Sequence, residues 1–399
     1  MPSICLLFHV NKPLWLKHYT FFDINHDHSY EDEERNLENL NRSSEACYLP
    51  ANRIMLDLIK RYKGDFRVAF SVTGVLLDQF EKHRVDVLES FKRLADTGCV
   101  EFVSETYYHS LAYLYSVREF KEQVVLHKKK IKTLFGQTPK TLRHTELIYN
   151  SALAKEAEKM GYSVILAEGA DKILGWRSPN YVYRPAGCKD LKLLLRNYRL
   201  SDDIAFHFSD PKWSEHPFLA GKYAEWIRSM NDTGDVINLF MNYETFGEHH
   251  AHETGILDFL NLLPREFLTY PDFRFQTPLE IARDYSPVGE LDVADYISWA
   301  DAERDLDARL GNPLQKDAID ALYGMEPQVR RRKDAISLRT WRMLQASDHF
   351  FYMRTRGIGG GDVHKHSNPY GSPYDAYINY MNIVDDFSGY ISKKEERNS

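Results

Sequence analysis

Val236-Ile237-Asn238-Leu239-Phe240-Met241-Asn242-Tyr243-Glu244-Thr245-Phe246-Gly247-Glu248-His249 starts as an apolar run and ends in polar residues. The run from Val236 to Met241 reads as a buried strand, so Asn242 and Glu244 fall where strand gives way to loop. In parallel barrels that rim is where chemistry is built. Thr141-Leu142-Arg143-His144-Thr145-Glu146-Leu147-Ile148-Tyr149-Asn150 repeats the arrangement, with a carboxylate just past a short strand and a helical pattern to follow.

Strand-length apolar runs recur at residues 4–10, 66–72, 100–104, 141–143, 164–167, 204–208 and 236–241. Helical patterns fall between and after them, near 52–62, 76–97, 118–135, 152–160, 222–229 and 256–263. Seven strands at that spacing predict a parallel α/β barrel over residues 1–285. From 286 to 399 the sequence predicts helices and no strand, the clearest helices being 334–353 and 374–390. The glycine-rich stretch at 357–361 between them lacks the Lys and Ser/Thr of a phosphate-binding loop and reads as a turn.

With 399 residues, 43% hydrophobic and 27% charged, the chain can bury a large core. Its formal charge of −7 argues against a nucleic-acid partner, which needs a clustered basic surface. The basic runs Lys128-Lys129-Lys130 and Arg330-Arg331-Arg332-Lys333 are short enough to be solvated helix faces. No leader is visible, and no apolar stretch approaches the roughly 20 residues of a membrane span. Cys5, Cys47, Cys99 and Cys188 have neither pairing nor zinc-type spacing, which points to a reducing cytoplasm.

The block Tyr243 to His249, preceded by Asn242, resembles the Asp-Tyr-Glu-Thr-Phe-Gly-Glu-His motif of glycoside hydrolase family 57, retaining α-glucan hydrolases and transferases. Arg143 to Tyr149 is similar to that family's Arg-Asn-Thr-Glu-Leu-Ile-Tyr motif, with His144 replacing Asn. Further likeness lies in Gly98 to Phe102 with Glu105, Thr106 and His109, in Trp299-Ala300-Asp301, in Ala346-Ser347-Asp348-His349, and in Asn368-Pro369-Tyr370 through Met381. The resemblance implies a (β/α)7 barrel whose helical C-terminal region closes one side of a cleft. It implies an α-glucan or maltooligosaccharide partner, with α-1,4 linkages as in glycogen, starch or maltodextrin, and no cofactor.

Retaining glycoside cleavage needs a carboxylate nucleophile and a second carboxyl group that protonates the leaving oxygen. The resemblance makes Glu146 the nucleophile, kept ionised by Arg143, and puts Asn242 where the family has its acid/base Asp. An amide gives up no proton at useful pH, so acid catalysis worth about 10²- to 10⁴-fold is absent there. Glu244, two residues on, is the nearest substitute donor or a supporting group. Asn11 and Lys12 stand where the family has His-Gln beside the cleavage point, and Arg309 where it usually has Trp. Glu101, His109, Trp299, Asp301, His249 and Asp348 are expected around the sugar. Trp15, Tyr107, Tyr108, Trp176, Trp213 and Tyr243 are candidates for stacking on it. These departures leave two readings, an enzyme with altered acid chemistry and a non-catalytic glucan-binding homologue. The run His249-His250-Ala251-His252 suggests metal ligands, but no metal-ligand spacing supports a site and none is expected.

Overall fold

The computed structural model describes residues 2–230, 234–271, 273–355 and 368–396, so the glycine stretch at 357–361 lies outside the described residues. Seven parallel strands wall a barrel: β1 Ser3–Val10, β2 Val68–Val72, β3 Val100–Phe102, β4 Thr141–Arg143, β5 Val164–Glu168, β6 Lys192–Arg196 and β7 Val236–Asn242. β1 lies between β2 and β7, with Phe8 level with Phe70 on one side and Met241 on the other. β2 continues to β3, while β4, β5 and β6 form a second parallel ladder.

Two seams close the barrel. Ser104, just past β3, bridges Leu142 of β4, and Arg143 N donates to Ser104 O at 2.8 Å. On the far side Asn238, the polar residue inside the apolar run, spends its amide on the seam. Its side-chain Nδ2 donates to Leu195 O at 2.9 Å, and its backbone carbonyl accepts from Asn197 N at 2.9 Å, while Oδ1 is buried without a partner among the described residues.

The strands are apolar on both parities because both faces are covered. Cys5, Leu7, Ala69, Val164, Leu166, Leu194 and Phe240 fill the barrel interior, whereas Ile4, Leu6, Phe8, Phe70, Ile237 and Leu239 pack outward with helices such as Leu49–Tyr62 and Ile256–Leu268. The same alternation puts His9 and Asn242 on the inward parity, paired in register directly above Leu7 and Phe240.

The sixth strand is not where the sequence predicts it. Residues 204–208 lie largely in the helical turn Asp203–His207, which continues the helix Tyr198–Asp202, and the strand is Lys192–Arg196. Asn197 accepts from Leu200 N at 3.2 Å and starts a helix immediately after β6. A five-residue apolar stretch carries no period that separates strand from helix, and the charged ends of Lys192–Arg196 shortened the true signal to three leucines.

The pattern at 76–97 is two helices, Gly74–His83 and Val85–Asp96, broken at Arg84; 334–353 divides into Ala335–Met343 and Ser347–Tyr352. Beyond residue 286 one short strand does occur, Glu290–Leu291, parallel to Arg184–Pro185. The C-terminal helices share a core with the barrel's helices: Leu322, Trp341, Phe350 and Tyr380 pack in one cluster with Tyr113, Phe120, Ile148 and Leu153. Trp341 is fully buried, with Nε1 donating to Leu322 O at 2.9 Å. No helix among the described residues is long and apolar enough to cross a membrane.

Candidate active site

The C-terminal ends of several strands open into one cavity, which residues at or just past those ends line. β1 supplies His9, Asn11 and Lys12, the segments after β3 and β4 supply His109 and Glu146, and β7 with its following turn supplies Asn242, Glu244 and His249. The C-terminal region adds Trp299, Arg309 and Asp348. Asp348 arrives because Ser347 N donates to His109 O at 2.9 Å, next to a bridge between Ala346 and Ser110.

Glu146 is held in an unusual backbone conformation. It has φ 56° and ψ 26°, and Leu147 follows at φ 48°. A side chain in this left-handed region costs about 1–2 kcal/mol, so neighbouring structure must impose it. The segment 297–299 does so: Ser298 Oγ and Trp299 N donate to Glu146 O at 2.9 and 3.1 Å, and Ile297 exchanges backbone bonds with Tyr149. The carboxylate is equally fixed. Trp299 Nε1 donates to Oε2 at 2.9 Å, while His109 Nε2 and Arg309 Nη2 approach Oε1 at 2.9 and 3.1 Å. Burial alone would raise its pKa, but Arg309, His109 and Arg143 outweigh that and hold Glu146 ionised, well below the usual carboxylate range.

His109 bridges two carboxylates. Its Nδ1 lies 3.5 Å from Glu105 Oε2, and Glu105 also accepts from Ser71 Oγ at 2.6 Å. Burial lowers the imidazole's pKa, yet the bonds to Glu105 and Glu146 raise it more, to about 9. His9 stacks on His109 with ring centroids 4.9 Å apart, and burial followed by the charge of Arg143 pushes it down to about 4. His9 is therefore neutral. With Nε2 3.6 Å from Glu105, its proton belongs there, and Nδ1 offers a lone pair to Asn242, whose Oδ1 lies 3.4 Å away. Turned over, the amide of Asn242 meets that lone pair with an N–H, which a carboxylate cannot do.

Glu244 is buried on the same wall. Tyr48 Oη and Asn11 N donate to Oε1 at 2.6 and 3.3 Å. Burial raises its pKa to about 7, against a smaller opposing effect of Lys12. Lys12 is itself paired with Glu248 at 2.6 Å.

Not every expected residue reaches the cavity. Glu101 lies toward the opposite end of the barrel, accepting from Thr141 Oγ1 and from Leu279 N at 2.9 Å, because it sits within β3 rather than past its end. Arg143 lies beneath the floor, its guanidinium 4.8 Å from the Trp299 ring and 3.9 Å from Glu105. Asp301 shapes the turn that Arg304 closes, with Arg304 Nη1 donating to its carbonyl at 3.2 Å, and does not line the cavity. Of the stacking candidates Trp15 lines the cavity, whereas Tyr107, Tyr108 and Tyr243 are packed in cores and Trp176 is 92% exposed on the surface. Sequence reasoning missed His9 and the central role of Glu105. The inward parity of His9 two residues before Asn11, and the four-residue spacing from Glu105 to His109, were the available signals.

The histidine run does not converge on a metal site: His250 Nδ1 pairs with Ser209 Oγ at 2.7 Å and His252 Nε2 with Ala46 O at 2.6 Å. His9, Glu105 and His109 do bring ligand-type atoms within 4.8 Å of one another. Both ring nitrogens of His109 are directed at carboxylates, however, and Arg143 puts a fixed cation beside Glu105. That arrangement suits an imidazolium rather than a metal ion.

The placement of this proton has a stability signature. The pKa of His109 is raised from 6.5 to about 9 on folding, so its contribution is fully present below pH 6.5 and is lost as pH rises through 9. Glu146, depressed below its ordinary value of 4.5, contributes above that value and weakens as pH falls. We expect the melting temperature to decline from pH 6.5 to 9, and His109→Gln to flatten that limb. An identical alkaline decline in the variant would place the proton elsewhere.

The chain is a parallel seven-stranded barrel with a buried glutamate at its C-terminal rim, and the comparisons with known proteins are specific. The sequence profile of Glycosyl hydrolase family 57 matches residues 5–294. A protein of Methanocaldococcus jannaschii that carries the name of an α-amylase is 42% identical over 376 residues, covering 91% of this chain and 79% of that protein. The chain belongs to glycosyl hydrolase family 57. Among solved structures, the family 57 branching enzyme of Pyrococcus horikoshii shares the fold with a TM-score of 0.71 at 14% identity, covering 100% of this chain and 92% of that one. The 4-α-glucanotransferase of Thermococcus litoralis also gives 0.71 at 14% identity, covering 96% and 59% respectively.

Proposed function

We propose that this chain cleaves and transfers α-1,4-linked glucans by a retaining mechanism in which Glu146 is the nucleophile. The observation that carries this reading is the ionised Glu146 carboxylate, fixed by His109, Trp299 and Arg309, in one cleft with the β7 rim. Attack on the anomeric carbon would form a glycosyl ester, and departure of the leaving oxygen would need a proton. Asn242 has none to give. Glu244, which exchanges its proton near neutral pH, is the group on that wall able to assist. Asn11, Lys12, His249, Trp299 and Asp348 would hold the sugar, and the region 286–399 would close the cleft. The names of the relatives, α-amylase, branching enzyme and glucanotransferase, describe variants of this chemistry. The four cysteines are buried and unpaired, in keeping with a cytoplasmic protein.

The ion pair between Arg309 and Glu146, together with Asn242, favours a second reading, a glucan-binding homologue with impaired chemistry. Product analysis on maltoheptaose separates the two. Shorter or redistributed oligosaccharides from the natural chain support the enzyme, and tight binding with no change in chain length supports the binding protein.

A further inference from the structure

Two departures from the family pattern meet in this cleft. Asn242 removes the proton donor, and Arg309 adds a guanidinium 3.1 Å from the nucleophile. Arg309 is 6% exposed and covers the Phe351 ring at 4.2 Å. Its Nη2 holds Glu146, while Nε and Nη1 find no acceptor among the described residues. Buried N–H groups left unanswered are unfavourable, and the partner that suits a planar guanidinium is an oxyanion.

Charge balance along the reaction points the same way. In the free site Glu146 answers Arg309, Glu105 answers His109 and Arg143, and Asp348 adds a third carboxylate near His109. Once Glu146 is esterified its charge is gone, and Arg309 faces a neutral group. An anion that enters with the substrate restores the balance. Asn242, unlike the family's Asp, does not repel it.

We propose that the cleft takes phosphate as a co-substrate, so that the chain interconverts an α-glucan plus inorganic phosphate with a shortened glucan plus an α-glycosyl phosphate. This rests on the reading of Glu146 as nucleophile acting on α-glucans. Glu146 attacks the anomeric carbon as the glycosidic C–O bond breaks, and dihydrogen phosphate gives its proton to the leaving oxygen. The hydrogen phosphate dianion left on the Arg309 N–H groups then attacks the same carbon. The ester bond to Glu146 breaks, its carboxylate returns, and the glycosyl phosphate departs as a monoanion. Two inversions retain the α configuration. Phosphate thus supplies and holds the proton that Asn242 cannot, and needs no oxidant or other reactant.

The test is maltoheptaose turnover by the natural chain with and without inorganic phosphate, with sugar phosphate followed by phosphorus NMR. We expect phosphate to raise turnover at least about 10-fold, saturably, with α-glucose 1-phosphate as product; Arg309→Gln should lose the phosphate dependence while keeping its melting transition. Labelling of Glu146 by α-glucosyl fluoride, read by intact mass, examines the nucleophile independently, because fluoride leaves without protonation. Labelled Glu146 with equal turnover in both buffers and no sugar phosphate overturns the phosphate proposal alone. Absence of labelling, with no turnover in either buffer, overturns the nucleophile reading and this proposal with it.

Discussion

Glu146→Gln is expected to lower maltooligosaccharide turnover by roughly 10⁵-fold, the scale seen when a covalent nucleophile is removed. The amide has nearly the shape of the carboxylate, so the Trp299 contact at Oε2 and the walls of the cleft should persist. What disappears is the anion. The variant cannot form the glycosyl ester, and Arg309 and His109 lose the charge they share 3.1 and 2.9 Å away. His109 should then titrate below its present value of about 9. Initial rates of product formation beside calorimetric binding of maltoheptaose check both halves: binding within a few-fold of the natural chain, turnover near background. Retention of more than about one per cent of the rate would move the nucleophile to another residue.

Asn242→Asp works in the opposite direction and should raise phosphate-free hydrolysis of natural glucans by about 10²-fold or more. The new carboxyl group would occupy the inward parity of β7, opposite His9 in register. It would also change its neighbour. A carboxylate 3.4 Å from His9 Nδ1 favours the imidazolium, so the His9 pKa should rise from about 4. Because the acid works only while protonated, the rate should fall as pH increases through the pKa of the new carboxyl group, a limb separate from the one near pH 7 that Glu244 would give the natural chain. A pH–rate profile unchanged by the substitution would show that Glu244 or phosphate already supplies the proton and that position 242 is not beside the leaving oxygen.

Much of this site was legible in the sequence because barrel geometry ties chemistry to the end of a strand. The strand patterns at 141–143 and 236–241 run up to the rim, and the positions of Glu146 and Asn242 follow from where those strands stop. Glu101 misled for the same reason: on a three-residue strand the middle residue is only two positions short of the rim, yet its side chain turns to groups at the other end of the barrel. β6 was missed because its leucine core is shorter than any period it could display, and the apolar turn at 203–207 offered a better-looking substitute. The electrostatics were less accessible. That His109 is cationic while His9, stacked against it, is neutral depends on His109 bridging two carboxylates while burial and the charge of Arg143 prevail at His9. Spacing along the chain does not encode that. The position of Arg309 on Glu146 likewise depends on how the C-terminal helices dock, through a core that joins Trp341 and Tyr380 to Tyr113 and Phe120.

The left-handed backbone at Glu146 sets durability against turnover. Glycine adopts that conformation without steric penalty, so a chain selected for stability alone would place it at position 146. Glutamate persists there against roughly 1–2 kcal/mol of conformational preference, which a marginally stable protein feels as a sizeable fraction of its margin. In return the carboxylate is aimed by the main chain and by segment 297–299, not by a side chain searching its rotamers each time a sugar arrives. The orientation is settled once, as the chain folds. Thermal hardening of this protein by sequence optimisation would therefore tend to replace the glutamate at position 146, and with it the residue on which the proposed chemistry turns.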